Sequence, residues 1–235
     1  MSEPDDNRIR PSDSEITSER PPWRVLLIGG PSGVGKTTVA RLVGQRFGAS
    51  WLQIDDLRLA LQWSRAQLPE NGTDILSYFD DTSDVWLQPP EQLRDALIAT
   101  SRVMEPAVEI VVRNHVDTAT PVVIEGDGFA PSLLLRPEIA IRVEAAQVRA
   151  IFLTEQDEGT LLANAVARSR GNSGWSEVEL QTQARAKWLY CNWLTDQARR
   201  QGLPVLNVRP WETLLERIMV ASGAAGLVRT RDEVS

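Results

Sequence analysis

Gly30-Pro31-Ser32-Gly33-Val34-Gly35-Lys36-Thr37 is the stretch that decides the fold, and Thr38 continues it by one residue. The apolar run 25–28 precedes it and an amphipathic segment, 36–47, opens at its end. This is the spacing G-x-x-x-x-G-K-[ST] in a strand–loop–helix context, which turns backbone N–H groups inward around phosphate oxygens. The helix N-terminus adds a favourable dipole and unsatisfied donors, so the loop calls for an anion. A nucleotide fits: Lys36 would reach its outer phosphates, and the Thr37 hydroxyl would ligate a bridging Mg2+. Lys187 is the only other lysine in the chain, so a lysine at this position is not a stray surface charge.

Outward from the loop, short apolar runs alternate with longer amphipathic segments, the pattern of a parallel sheet flanked by helices. Strands are expected at 25–28, 51–54, 122–124, 148–153 and 204–208. Helices are expected at 36–47, 56–66, 90–112 (ended or kinked by Pro106), 157–168, 176–201 and 211–221. Residues 69–88 place Tyr78, Phe79 and Trp86 among Asp, Ser and Thr, and read as a loop-rich insertion, about 67–89, that either covers a substrate pocket or simply packs on the surface. Trp188, Leu189, Trp193 and Leu194 form an apolar stripe at helical spacing and read as core.

Composition sets limits on this plan. Of 235 residues, 42% are hydrophobic and 24% charged, which supports one folded core. Residues 1–22 hold six acids, three arginines and four prolines and read as a disordered tail; 23–228 form the domain and 229–235 a polar C-terminal tail. A net charge of −7 argues against an extended surface for duplex nucleic acid. No run is apolar enough for a membrane span or a signal sequence, so the expected location is the cytoplasm. Cys191 and His115 are the only residues of their kinds, which excludes an intrachain disulfide and multi-cysteine or two-histidine metal sites. Cys191 reads as a small buried helix residue and His115 as a polar residue on the approach to a strand. The number of subunits is left open.

Carboxylates end two of the expected strands, at the sheet edge where α/β proteins bind ligands. Asp55-Asp56-Leu57-Arg58 follows the second: Asp55 is the candidate base for an attacking hydroxyl, and Arg58 can hold an anionic substrate group, although either aspartate could instead cap a helix. Glu125-Gly126-Asp127-Gly128 follows the third. Glu125 can hold a magnesium-bound water and Asp127 can contact an acceptor. Arg168 and Arg170, before a glycine-containing break at about 168–176, suit a lid that neutralises charge on a transferring phosphoryl group, or alternatively a helix C-terminus. Residues 207–211 either approach an adenine ring or form an ordinary turn.

Taken together, the loop, the DDLR run, the EGDG turn and the arginine pair resemble the small-molecule kinases of the P-loop superfamily, over roughly residues 23–220. The resemblance implies a five-stranded parallel sheet in the order 2-3-1-4-5 with helices on both faces and a mobile lid. It also implies Mg2+ and ATP, with a small hydroxyl- or carboxyl-bearing acceptor. The long helix before Val122-Val123-Ile124-Glu125-Gly126 and Pro131 resembles 2-phosphoglycerate kinase-like proteins. The DDLR run is similar to phage polynucleotide 5′-kinases, in which the first aspartate is the base and the arginine helps bind substrate; that implies these roles for Asp55 and Arg58. Chloramphenicol phosphotransferase-like and gluconate or shikimate kinase-like enzymes share the skeleton, so the acceptor stays open between a phosphoglycerate-like acid, a sugar acid and an antibiotic. Two other readings stand beside it: a polynucleotide or nucleoside kinase, and a nucleotide-binding regulatory module without a small acceptor. ATP is favoured over GTP because no Asn-Lys-x-Asp run is present.

Overall fold

The computed structural model describes residues 20–64, 66–68, 71–167 and 174–224. Five parallel strands, β1 (Val25–Gly29), β2 (Ser50–Gln53), β3 (Val122–Gly126), β4 (Val148–Thr154) and β5 (Val205–Asn207), form one sheet in the order β2-β3-β1-β4-β5. This is the five-stranded parallel sheet, in the order 2-3-1-4-5, expected from the sequence. Every residue of β1 and β3 is buried, because helices cover both faces of the sheet and leave no side for water. Their near-continuous apolar composition is the result.

Alternation along the strands divides the core in two. Val25 and Leu27 of β1, Val122 and Ile124 of β3, and Phe152 of β4 point to one face. Leu26, Ile28, Val123, Ile151 and Leu153 point to the other. The second face is closed by α1 (Lys36–Phe47) and α8 (Leu214–Ala221), through Val39, Val43, Phe47, Leu214 and Ile218. The first is closed by α4 (Pro90–Asp117) and α7 (Glu177–Arg200), through Met104, Val108, Val112, Tyr190 and Leu194. The remaining helices are α2 (Ile54–Trp63), α3 (Gly72–Asp81), α5 (Pro137–Glu144) and α6 (Glu158–Ala167). Ser176 starts α7 with a reciprocal capping box to Glu179.

Several expectations are corrected. Ile54 does not end β2; it begins α2. The last β2–β3 pair is Gln53 with Glu125, and the chain then turns so that Ile54 fits beneath Gly126 and Gly128. A Cβ on those glycines would lie 2.8 and 2.5 Å from Ile54. The stretch 69–88 is not loop-rich where it is described: it holds α3 and a 3-10 turn, Val85–Leu87. Leu76 is buried against the α4 side of the core, a helical register that the surrounding Asp, Ser and Thr obscure in the sequence. Pro106 does not end α4, which runs on to Asp117. The stripe Met104, Val108, Val112 and Val116 is buried at i, i+4 spacing, and Pro106 lies on the exposed side, so packing overrides the lost hydrogen bond. His115 sits in the last turn of α4, its Nδ1 2.9 Å from the Thr120 carbonyl oxygen. Of the expected core stripe on α7, Leu194 is buried, while Trp188, Leu189 and Trp193 are half-buried. Cys191 is buried on α7, and burial raises its thiol pKa to about 11. No helix among the described residues is long and apolar enough to cross a membrane.

Because Pro106 is exposed and only removes an N–H from the ladder, Pro106→Ala is expected to stabilise the protein by about 1–3 kcal/mol in urea unfolding. A lower midpoint would mean that the core requires the proline's local geometry.

Candidate active site

The loop between β1 and α1 is shaped by its glycines. Gly30 has φ 142°, and a Cβ there would lie 2.4 Å from the Leu153 carbonyl oxygen, so the loop can lie this close to β4 only without a side chain. Val34 is buried in the core, which leaves its backbone as the part that faces a ligand. Thr38 is exposed. Lys36 is 7% exposed, and its Nζ donates to the Pro31 carbonyl at 2.9 Å, folding the ammonium over the loop it would serve. The Trp211 ring lies against Gly35, 2.3 Å from where a Cβ would stand. The 207–211 segment thus borders the loop.

The two carboxylate clusters converge on this loop. Thr37 Oγ1 donates to Glu125 Oε1 at 2.6 Å, across the gap between α1 and β3. A cleft of about 330 Å³ is lined by Gly33, Lys36, Thr37, Asp55, Glu125 and Asp127, among others. A smaller cavity of about 150 Å³ adjoins it and shares Asp55 and Asp127, with Leu76 and Phe79 as part of its wall. Asp55 and Asp56 occupy the first turn of α2, and neither is its N-cap; that position is Gln53, with no side-chain cap bond. Asp127 is held from behind by Tyr190, whose hydroxyl donates to the Asp127 carbonyl oxygen at 2.8 Å.

Placing Asp55 beside Asp127 has an electrostatic consequence. The Asp55 pKa is raised from 3.8 to about 6, first by the Asp127 charge and then by partial desolvation, with Lys36 and Arg58 opposing. Asp55 remains open to solvent by surface area, so the neighbouring charge rather than burial dominates. Arg58 lines the smaller cavity, and one of its terminal nitrogens is engaged: Nη1 donates to Gln62 Oε1 at 2.8 Å and lies 3.6 Å from Asp80 Oδ2.

The structure therefore brings Gly30 to Thr38, Asp55, Arg58, Glu125 and Asp127 to one region. Arg168 and Arg170 lie outside the described residues. Sequence reasoning misses Asn164, whose side-chain amide donates to the Gly33 carbonyl at 3.2 Å from α6, and Thr100 on α4, which lines the smaller cavity. Neither carries a motif; only the packing of distant helices brings them here. Among the described residues no group of three or more His, Cys, Asp or Glu is arranged to hold a metal. Thr37 and Glu125 suit an ion that keeps most of its ligands as water and substrate phosphate, as magnesium does.

No family model matches the chain. It is 34% identical over 95 residues to a cytidylate kinase of Symbiobacterium thermophilum, covering 37% of this chain and 42% of that protein. It is 31% identical over 111 residues to the ATP-dependent protease ATPase subunit HslU of Staphylococcus aureus, covering 45% of this chain and 22% of that one. The chain thus spans less than half the length of these curated relatives. Among solved structures, a gluconokinase from Sinorhizobium meliloti aligns with 89% of this chain and 97% of its own at 15% identity and a TM-score of 0.44. A shikimate kinase from Aquifex aeolicus aligns with 86% and 98% at 12% identity and a TM-score of 0.41.

Replacing Asp127 by Asn removes the largest cause of the Asp55 shift. Carboxyl-carbon NMR titration is expected to return Asp55 from about 6 towards 3.8 in Asp127→Asn. A raised folded pKa means that this group's contribution to stability is full below pH 3.8 and is lost as pH rises through about 6. Asp127→Asn should accordingly lose less stability than the parent between pH 4 and pH 7 in urea unfolding.

Proposed function

We propose that this protein is a P-loop kinase that transfers the γ-phosphoryl group of ATP to a hydroxyl of a small molecule. The observation that carries the reading is the meeting of two cavities at Asp55 and Asp127, with the phosphate-type loop on one side and a small, partly apolar pocket on the other. A nucleotide-binding switch has no need of a second pocket whose carboxylates reach the first. The local similarity to a cytidylate kinase supports phosphoryl transfer, and that to an ATPase subunit supports ATP as the nucleotide.

In this reading the loop's N–H groups hold the β- and γ-phosphates, and Lys36 leaves the Pro31 carbonyl to bind the outermost. Thr37 and Glu125 would hold magnesium, directly or through water, and the ion would supply positive charge to offset that of the phosphates. Asp55 accepts the acceptor's hydroxyl proton as the oxygen–phosphorus bond forms and the bond from phosphorus to the ADP oxygen breaks. ADP and the phosphorylated acceptor leave, and Asp55 returns the proton to water. Asp127 orients the acceptor and holds the Asp55 pKa near neutrality. Arg168 and Arg170 are proposed to close on the transferring group from the lid. The cytoplasm remains the proposed location.

The test is magnesium-dependent ADP release by the full chain, screened against polyols, sugars, hydroxy acids, amino alcohols, nucleosides and phenols. Lys36→Ala is expected to weaken ATP binding at least tenfold. Asp55→Asn is expected to keep ATP affinity and lose about 10²–10⁴ in kcat, and the parent's kcat/KM should fall below an apparent pKa near 6, the value of Asp55. Undiminished turnover in Asp55→Asn would remove its role as base. Tight ATP binding with no acceptor-stimulated release would overturn the kinase reading.

A further inference from the structure

The smaller cavity carries information about what it admits. Its lining combines an apolar wall, Leu76, Phe79 and Leu97, with Asp55, Asp127 and Arg58. Two carboxylates thus face one guanidinium, and that guanidinium already has Asp80, Gln62 and the Leu76 carbonyl oxygen as neighbours at 3.6, 2.8 and 3.4 Å. An acid entering here would meet two like charges against a single cation, one of whose terminal nitrogens, Nη1, is already engaged by Gln62, Asp80 and the Leu76 carbonyl oxygen. Burying a carboxylate where negative charge outnumbers positive is costly.

A second observation points to a ligand in this cavity. Thr100 lines it, is 8% exposed, and its Oγ1 has no hydrogen-bond partner among the described residues. A threonine inside a helix ordinarily satisfies its hydroxyl on a carbonyl one turn back, and the next residue does so: Ser101 Oγ donates to the Ile98 carbonyl at 2.8 Å. Buried polar groups left unpaired cost about 1–3 kcal/mol, so a hydroxyl orphaned at a cavity wall is most simply explained by a partner that arrives with the ligand.

We propose that the acceptor is a small hydroxylated molecule, uncharged or cationic and with one apolar face, and that Thr100 fixes it by a hydrogen bond while Asp55 and Asp127 repel acids. The proposal rests on the kinase reading and narrows it. An amine or a neutral polyol offers donors to the two carboxylates and to Thr100 Oγ1, and its carbon face lies on Phe79. Phe79 is itself held by stacking on Trp86, ring centroids 5.4 Å apart. Thr100 acts on specificity and positioning; it does not take part in the proton transfer.

The experiment compares sets matched in size and differing in charge: glycerol, serinol and glycerate; glucose, glucosamine and gluconate; tyrosol, tyramine and 4-hydroxyphenylacetate. ADP release by the full chain is expected from a neutral or cationic member and to be at least tenfold lower, in kcat/KM, for the acid of the same set. Turnover of the acid equal to or above its neutral partner would overturn the charge inference while leaving the kinase standing. Release with none of the nine, in protein that binds ATP, would count against the kinase reading itself.

Thr100→Val keeps shape and removes the hydroxyl. It is expected to raise the acceptor KM about tenfold, with the KM for ATP and kcat within about twofold of the parent, and Thr100→Ser to restore it. An unchanged acceptor KM in a folded Thr100→Val protein would remove Thr100 from the site. Equal changes in thermal midpoint and in both KM values would make its role structural.

Discussion

A hydrogen bond of 2.6 Å from Thr37 to Glu125 joins the first turn of α1 to the carboxyl end of β3, and the site is assembled around that junction. It locks the phosphate-type loop to the strand that carries the second acidic cluster. β3 lies between β1 and β2, so a residue fixed at its end is in reach of both the loop and Asp55. Beyond Glu125 the backbone has no Cβ at two positions, and Ile54 fills the room left there. That packing, more than any polar contact, sets where α2 begins and therefore where Asp55 stands. A side chain on Gly128 would press on Ile54 and move the proposed base with it.

Much of this is legible in the chain because local chemistry and fold agree along it. The glycine spacing, the lysine and the helix after them form a unit that reads the same in sequence and in space. The strands are visible as apolar runs, and α1 spans the same residues as its amphipathic pattern. Sequence reading fails where contacts distant in sequence decide. Ile54 reads as strand because it is β-branched and ends an apolar run, yet the space beneath Gly126 and Gly128 turns it into a helix start. Pro106 reads as the end of a helix or a kink in it, and the buried stripe from Met104 to Val116 carries the helix past it. Thr100 has no local signal whatever. Its standing depends on α2, α3 and the 127–128 turn closing a cavity over it, and no residue near it in sequence reports that.

The electrostatics of the region follow from how closely the two clusters are brought together. Asp55 sits in the first turn of α2, where a helix dipole favours a negative charge, and Lys36 and Arg58 favour it too. The Asp127 charge, with partial burial, outweighs them, and the outcome is a carboxyl group whose pKa is raised to about 6. A proton acceptor is most useful when its affinity lies close to the working pH, so the repulsion that destabilises the pair also moves Asp55 towards the proposed role of base. Tyr190 steadies the turn that carries Asp127. The hydroxyl of this fully buried residue of α7 pins the Asp127 backbone.

The helix α3 gives the smaller cavity a firm wall and ties it to the rest of the chain. Phe79 stacks on Trp86, and Trp86 meets Trp175 with ring centroids 5.3 Å apart. Trp175 stands just before the capping box that starts α7 and just after the segment that holds Arg168 and Arg170. Aromatic contacts of this kind contribute about 0.5–1.5 kcal/mol each beyond their buried area, enough to bias one arrangement of a few residues over another without fixing it irreversibly. A molecule that settled against Phe79 would therefore press on a wall that reaches the start of α7 through three rings rather than through the sheet.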